Sequence, residues 1–115
     1  MKQYIPRIID QELTHSLDVA GAVLIKGPKA CGKSETAKQQ AKSILQVDSD
    51  PQVAPLMGID PTALLDGTTP RLIDEWQAQP RLWNYIRHAV DDRSSKGQFI
   101  LTGSANPVEE VSMHS

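Results

Sequence analysis

At residues 27–34 the chain reads Gly27-Pro28-Lys29-Ala30-Cys31-Gly32-Lys33-Ser34, and this stretch decides how the rest of the sequence is interpreted. Glycine, four residues, glycine, lysine and serine form the pattern of a phosphate-binding loop, also called a Walker A loop. Its glycines let backbone amides approach an anion, and these amides point inward around phosphate oxygens. The pattern therefore predicts that the segment from Gly27 to Glu35 binds the phosphates of a nucleotide.

The neighbours of this loop are those that phosphate binding requires. Ala22–Ile25 is a continuous apolar run, which is typical of a strand buried on both faces of a parallel sheet. Residues 34–43 are rich in Ala, Lys, Gln and Glu, so a helix is expected to begin near Lys33 and to direct its positive dipole end at the anion. We expect Lys33 to span the β- and γ-phosphates and the Ser34 hydroxyl to contact Mg²⁺.

Some residues of the loop have a second interpretation. Cys31 lies beside Lys33 and near a predicted helix N-terminus, surroundings that can activate a thiol, so a redox role competes with that of a small loop residue. Lys29 either contacts phosphate or remains in solvent. The whole pattern could also be a glycine turn before an ordinary helix, but the strand and helix that flank it favour the phosphate-binding interpretation.

The remaining sequence alternates between predicted strands and helices. These elements are strands at residues 44–48, 70–75 and 98–104 and helices at residues 8–17, 60–67 and 80–92. Residues 49–58, which contain proline and aspartate, are predicted to form a loop. Such alternation is typical of a doubly wound α/β fold with a parallel sheet.

Polar residues follow two of the predicted strands. Asp74 and Glu75 end one strand, and Thr102 and Ser104 end another. Because ligands of such sheets bind at the carboxyl ends of the strands, these residues are expected to converge on the phosphate loop. Asp74 would hold Mg²⁺ and Glu75 would polarise the attacking water. Either Thr102 or Ser104 would contact the γ-phosphate or that water, although a hydroxyl there could simply cap a loop.

The acidic pair is followed by Trp76 and Gln77, and the Gln77 side chain has three possible environments. Gln77 points toward the site, packs or faces solvent, and the pattern does not choose among the three. The chain has 115 residues, a net charge of −2 and one cysteine, which predicts a single domain without an internal disulfide in a reducing cytoplasm. It shows neither a basic nucleic-acid footprint nor a run of about 20 apolar residues that could span a membrane.

Four segments together resemble a prokaryotic family of AAA-like ATPases. Members of this family are predicted ATP-binding proteins, in which an N-terminal AAA domain precedes a C-terminal domain of unknown function. The resemblance covers nearly the whole chain. The segments that support it are Tyr4-Ile5-Pro6-Arg7-Ile8-Ile9-Asp10, residues 21–34, Leu72-Ile73-Asp74-Glu75-Trp76-Gln77 and Phe99-Ile100-Leu101-Thr102-Gly103-Ser104.

The resemblance implies a fold type and implies that this sequence contains only part of the domain. It implies a truncated P-loop NTPase domain of the AAA (ASCE) type, a three-layer sandwich with a mostly parallel sheet and an extra strand between the phosphate-loop strand and the acidic pair. Residues 1–115 would be the N-terminal part of that domain, with a helical segment at 1–20 and a flexible tail at 106–115. The finger and sensor arginines, a last sheet strand and the C-terminal domain would lie elsewhere, and the missing strand would leave an unpaired edge that favours homo-oligomers.

Three functions follow from these expectations. The first is hydrolysis of ATP with Mg²⁺ in the full-length protein. The second is a nucleotide-binding switch whose hydrolysis is negligible in this segment, because an arginine finger contributes about 10³–10⁵ in rate. The third is a small-molecule kinase, which the absence of an arginine-rich lid in the sequence disfavours.

Overall fold

Parallel strands joined by helices form the protein, as the alternating pattern predicts. The computed structural model describes residues 7–8, 13–25 and 33–103. The strands are β1 (Arg7–Ile8), β2 (Ala22–Ile25), β3 (Ser43–Gln46), β4 (Arg71–Asp74) and β5 (Phe99–Thr102). The helices are α1 (Leu13–Val19), α2 (Lys33–Gln40), α3 (Val53–Ile59) and α4 (Leu82–Arg93), with 3₁₀ helices at Pro61–Leu65 and Trp76–Ala78.

The described strands form one sheet in the order β1-β2-β5-β4-β3, and every neighbouring pair is parallel. Strand β5 therefore separates β2, which precedes the phosphate loop, from β4, which ends in the acidic pair. The resemblance to AAA-like ATPases implies this inserted strand, and the topology confirms it. All four residues of β5 are buried, as expected for a strand at the centre of a sheet.

Helices pack on both faces of the sheet and produce the expected three layers. Alternate residues of each strand point to opposite faces, so the two faces have separate apolar cores. One core joins Leu24, Ile73 and Leu101 to α3, α4 and the 3₁₀ helix at Pro61–Leu65. The other core joins residues of the opposite parity to α1 and α2, and its buried members are Leu13, Leu17, Ala20, Val23, Ile25, Ala37, Leu72 and Ile100.

The sequence predicted the central strands more accurately than the segments around them. Strand β2 has the predicted limits, and β4 and β5 are each shorter than predicted by two or more residues. The predicted loop at residues 49–58 is wrong, because residues 53–59 form α3. Pro55 misled the prediction, since it lies in the first turn of the helix, where its missing N–H has no partner to lose.

The N-terminal segment also differs from the prediction. Within the predicted helical segment at 1–20, the helix predicted at residues 8–17 is α1 at Leu13–Val19, and Arg7–Ile8 is a strand instead of a part of that helix. Leu13 and Leu17 are nevertheless buried, as the predicted apolar stripe requires. Strand β1 pairs with Leu24 and Ile25 of β2, so this part of the edge beside the phosphate-loop strand is paired rather than open. The expected homo-oligomers stay a prediction.

One further segment agrees with its prediction in outline. The short helix predicted at residues 60–67 is a 3₁₀ helix that begins at Pro61, and Asp60 accepts a hydrogen bond from the Thr62 hydroxyl at 2.7 Å instead of capping a backbone N–H. The predicted tail at 106–115 lies outside the described residues. Within the part of the chain that the structure describes, none of the helices is long and apolar enough to cross a membrane.

Candidate functional site

The last residues of four strands lie side by side at one edge of the sheet. The register places Ile25 opposite Thr102, Thr102 opposite Asp74, and Asp74 opposite Gln46. Helix α2 begins at Lys33, shortly after β2 ends, and returns to the start of β3, so its N-terminus faces the same edge. The sequence predicted that these strand ends meet at one edge, and the topology produces this because all the strands run in one direction.

Strand parity places Asp74 and Thr102 on the face that α2 covers. Each lies two residues after a buried core residue of that face, Leu72 and Ile100 respectively, and both core residues share a cluster with Ala37 of α2. The Asp74 carboxylate and the Thr102 hydroxyl therefore lie on the side of the sheet where the phosphate-loop helix packs. A residue of opposite parity would point to α4 instead.

A hydrogen bond joins these two side chains. The Thr102 hydroxyl donates to Oδ1 of Asp74 at 2.6 Å, and Thr102 is fully buried whereas Asp74 is half-buried. A short bond from a buried hydroxyl to a carboxylate is charge-assisted and restricts the carboxylate to one orientation. Thr102 is thus bonded to Asp74, and its predicted contact with the γ-phosphate or the attacking water stays a prediction. Ser104, the other residue predicted to contact the γ-phosphate or the attacking water, lies outside the described residues.

Glu75 adopts a backbone conformation that is uncommon for its residue type. Its φ and ψ angles of 54° and 48° lie in the left-handed region, which costs a non-glycine residue about 1–2 kcal/mol. Ser94 has a similar φ of 51°, but it ends helix α4, where this conformation satisfies the last helical carbonyls. Glu75 follows a strand instead. Strain of this kind is concentrated at functional sites, and it turns the chain sharply as soon as the carboxyl edge is reached.

The turn after Glu75 is anchored by an aromatic pair. Trp76 is buried and its ring lies 5.4 Å from that of Trp83 on α4, tilted by 37°. The next residue, Gln77, is half-buried, and its carboxamide lies against Gly103 at the end of β5. The sequence left the position of Gln77 open. The signal that could have located it is the glycine that directly follows Thr102.

The phosphate loop itself, Gly27 to Gly32, lies outside the described residues. The structure describes the backbone of Lys33 and Ser34, which form the first turn of α2, and it shows Glu35 exposed in that turn. Ala37 is fully buried against the sheet, which holds the helix across β4 and β5. The proposed roles of the loop residues and of the Lys33 and Ser34 side chains remain predictions.

The donor set at this edge fits Mg²⁺ bound together with phosphate. Among the described residues there is no group of three or more His, Cys, Asp or Glu side chains arranged to hold a metal ion. Mg²⁺ is commonly held by one or two carboxylates together with waters and substrate phosphates, rather than by a full cage of protein ligands. An oriented carboxylate at Asp74 beside a helix N-terminus is the combination that such binding needs.

Comparison with known proteins agrees with this geometry. The family model of an AAA domain matches residues 20–113. The chain belongs to this AAA domain family. Two uncharacterized proteins, one from Mycobacterium bovis and one from Mycobacterium tuberculosis, are each 32% identical to it over 98 residues, which is 83% of this chain and 22% of each relative. No solved structure matches the chain.

Family membership has two consequences. The chain is an AAA-like P-loop domain, a class associated with nucleotide binding, and its parallel three-layer fold agrees with that class. It also spans about a fifth of the length of the curated relatives that it matches, since the matched region is 22% of each.

Proposed function

We propose that this domain binds ATP with Mg²⁺ at the carboxyl edge of the sheet. The observation that supports the proposal most is the hydrogen bond from Thr102 to Asp74, which orients a carboxylate on the α2 face. This carboxylate lies at the edge where the strand before the phosphate-loop pattern also ends. A carboxylate held in one orientation beside a phosphate loop is suited to a phosphate-bound metal ion.

The residues of the site have different roles in this proposal. The amides of Gly27 to Gly32 surround the phosphates, and Lys33 neutralises the β- and γ-phosphate charge. Ser34 and Asp74 would hold Mg²⁺, which would supply positive charge beside the phosphate oxygens. Glu75 accepts a proton from the attacking water, and its position one residue after Asp74 keeps its carboxylate close to the metal site without being a ligand.

We further propose that the longer protein hydrolyses ATP in the cytoplasm. Asp74 and Glu75 supply the metal ligand and the base, both within the described edge. The arginines that accelerate hydrolysis in this class would come from outside the chain, from the C-terminal part or from a second copy. By itself the domain would then behave as a nucleotide-binding switch, because an arginine finger contributes about 10³–10⁵ in rate.

Calorimetric titration with ATP and Mg²⁺ tests binding. The wild-type domain should bind, and Lys33→Ala should weaken binding by at least about 100-fold, because a charge-assisted contact with phosphate is lost. Lys38→Ala is the matched control, since Lys38 is an exposed lysine near the other end of the same helix. The control should bind as the wild type does. Unchanged affinity in Lys33→Ala would contradict the proposed binding site.

Steady-state phosphate release by the full-length protein tests hydrolysis. Glu75→Gln should retain ATP binding and lower turnover by about 10²–10⁴, the contribution typical of a general base. Glutamine keeps the size of the side chain, so the turn after β4 should be preserved, and the melting temperature provides the check. If the variant turns over as fast as the wild type, another group orients the water.

A further inference from the structure

The turn that follows β4 reaches across to the end of β5. Glu75 reverses the chain, Trp76 is buried beneath it, and residues 76–78 form a single 3₁₀ turn. The N–H groups of Ala78 and Gln79 donate to the carbonyl oxygens of Glu75 and Trp76, at 3.1 Å and 3.0 Å. The turn is therefore internally bonded and fixed to the core. The Gln77 side chain extends from a rigid base.

The Gln77 side chain lies against Gly103. A Cβ atom added at Gly103 would overlap the carboxamide oxygen of Gln77 and would also lie 3.4 Å from Cδ1 of Trp76. The only glycine with a positive φ among the described residues is Gly97, so backbone conformation does not account for glycine at position 103. The glycine is explained instead by the room that the Gln77 carboxamide needs. The carboxamide fills the position that a side chain at 103 would occupy.

This contact joins the two strands of the candidate site at a second point. Asp74 and Thr102 are already joined by the hydrogen bond, and Gln77 meets the residue that directly follows Thr102. The contact lies on the Trp76 side of β5, whereas Asp74 and Thr102 face α2, so the end of β5 is held from both sides. A carboxamide is uncharged, so it can pack closely against the backbone near an anion site without repelling phosphate.

We propose that Gln77 is a positioning residue of the nucleotide site, which holds the turn bearing Glu75 in register with the end of β5. This inference rests on the proposed function. In the proposed site the backbone amides of residues 27–32 would contact phosphates that ATP and ADP share, whereas Lys33 and the edge formed by Asp74 and Glu75 would face the end of a triphosphate. Displacing the Gln77 turn should therefore weaken recognition of ATP more than that of ADP.

The test compares the affinities for ATP and ADP, each with Mg²⁺, by calorimetry on this chain. Gln77→Ala should reduce the preference for ATP over ADP by about tenfold, the scale of one hydrogen bond to a charged group, with ADP affinity within about twofold of the wild type. Gln79→Ala is the matched control, because it removes the same side chain two residues later in the same turn. The control should leave both affinities unchanged.

Gly103→Ala tests the contact from the other side. The added methyl group should displace the carboxamide, lower the melting temperature and reduce the ATP preference, while Gln77 itself remains. The double variant Gln77→Ala with Gly103→Ala removes the overlap. It should recover much of the melting temperature but none of the ATP preference, which separates positioning of the site from general stability.

The outcomes distinguish this inference from the function on which it rests. If the wild type binds neither nucleotide, the proposed function fails. If it binds both and Gln77→Ala leaves the ratio of the two affinities unchanged, only the positioning role is overturned. Equal weakening of ATP and ADP would also overturn it, because Gln77 would then support the fold and not the triphosphate end of the site.

Discussion

Strand β4 has a charged residue at each end, and the two ends are built differently. Arg71 begins the strand and Asp74 ends it. The Arg71 Nε donates a hydrogen bond to the Leu64 carbonyl oxygen at 3.0 Å, which fastens the strand to the 3₁₀ helix before it. Burial lowers the pKa of Arg71, while the carboxylates of Asp66 and Asp50 act in the opposite direction.

At the carboxyl end of β4, the hydrogen bond from Thr102 orients the Asp74 carboxylate instead of fastening the strand to another element. Asp74 accepts the Thr102 hydroxyl at 2.6 Å, between two strands that are already held together by their backbone ladder. The sheet does not depend on that bond for its register. We therefore interpret Arg71 as a residue that stabilises the fold, and we propose that the oriented carboxylate of Asp74 serves a ligand. Substitutions at the two ends of β4 should therefore have different effects.

Replacing Arg71 should have the largest effect on stability. Arg71→Met retains much of the aliphatic stem but removes the charged donor, and it should lower the free energy of unfolding by about 2 kcal/mol, the scale of a hydrogen bond to a charged group. Urea unfolding followed by circular dichroism measures it. Arg87→Met, at an exposed position of α4, is the control and should change stability by less than about 0.5 kcal/mol.

Nucleotide affinity provides a second test of the role of Arg71. Arg71 lies at the edge opposite the candidate site, so Arg71→Met should bind ATP with Mg²⁺ as the wild type does under conditions where both are folded. A selective loss of ATP binding in this variant would show that the amino end of β4 also serves the ligand.

Replacing Thr102 should affect the ligand more than the fold. Thr102→Val has nearly the same shape without the hydroxyl, so Asp74 would lose its orientation. We expect a loss of about 1 kcal/mol in stability and a loss of roughly tenfold in the increase of ATP affinity that Mg²⁺ produces. Calorimetry with and without Mg²⁺ measures this increase. Thr102→Ser retains the hydroxyl and should keep most of the Mg²⁺-dependent increase in ATP affinity. If the wild type and both variants show the same increase, the hydrogen bond from Thr102 to Asp74 does not have the proposed role.

Replacing Asp66 should have the smallest effect. Its Oδ1 lies 3.9 Å from Nη2 of Arg93, and its side chain is 81% exposed. Exposed pairs contribute about 0–1 kcal/mol, and this one is both long and highly exposed, so Asp66→Asn should change the free energy of unfolding by less than about 0.5 kcal/mol and should not change ATP affinity. Urea unfolding beside Arg71→Met provides the comparison, and a loss as large as that of Arg71→Met would show that the amino edge is a coupled network.

Much of the fold could be predicted because its signals are local. The apolar run Ala22–Ile25, the acidic pair after Leu72-Ile73 and the run at Phe99 identify three of the parallel strands. The helix α3 could not be predicted, because Pro55 has opposite meanings in a loop and in the first turn of a helix. Strand β1 could not be predicted either, because two residues form no periodic pattern and Arg7–Ile8 is defined only by its pairing with β2.

By itself the sequence determined the phosphate-loop pattern, the succession of strands β2 to β5 along the chain, and the residue types at the strand ends. These features depend on neighbours along the chain, so they can be read from spacing. Only the tertiary structure decided that Thr102 bonds Asp74, that Gln77 lies against Gly103 and that β1 covers the edge of β2. Each of these contacts joins separate strands or turns, so the packing of the sheet brings the partners together.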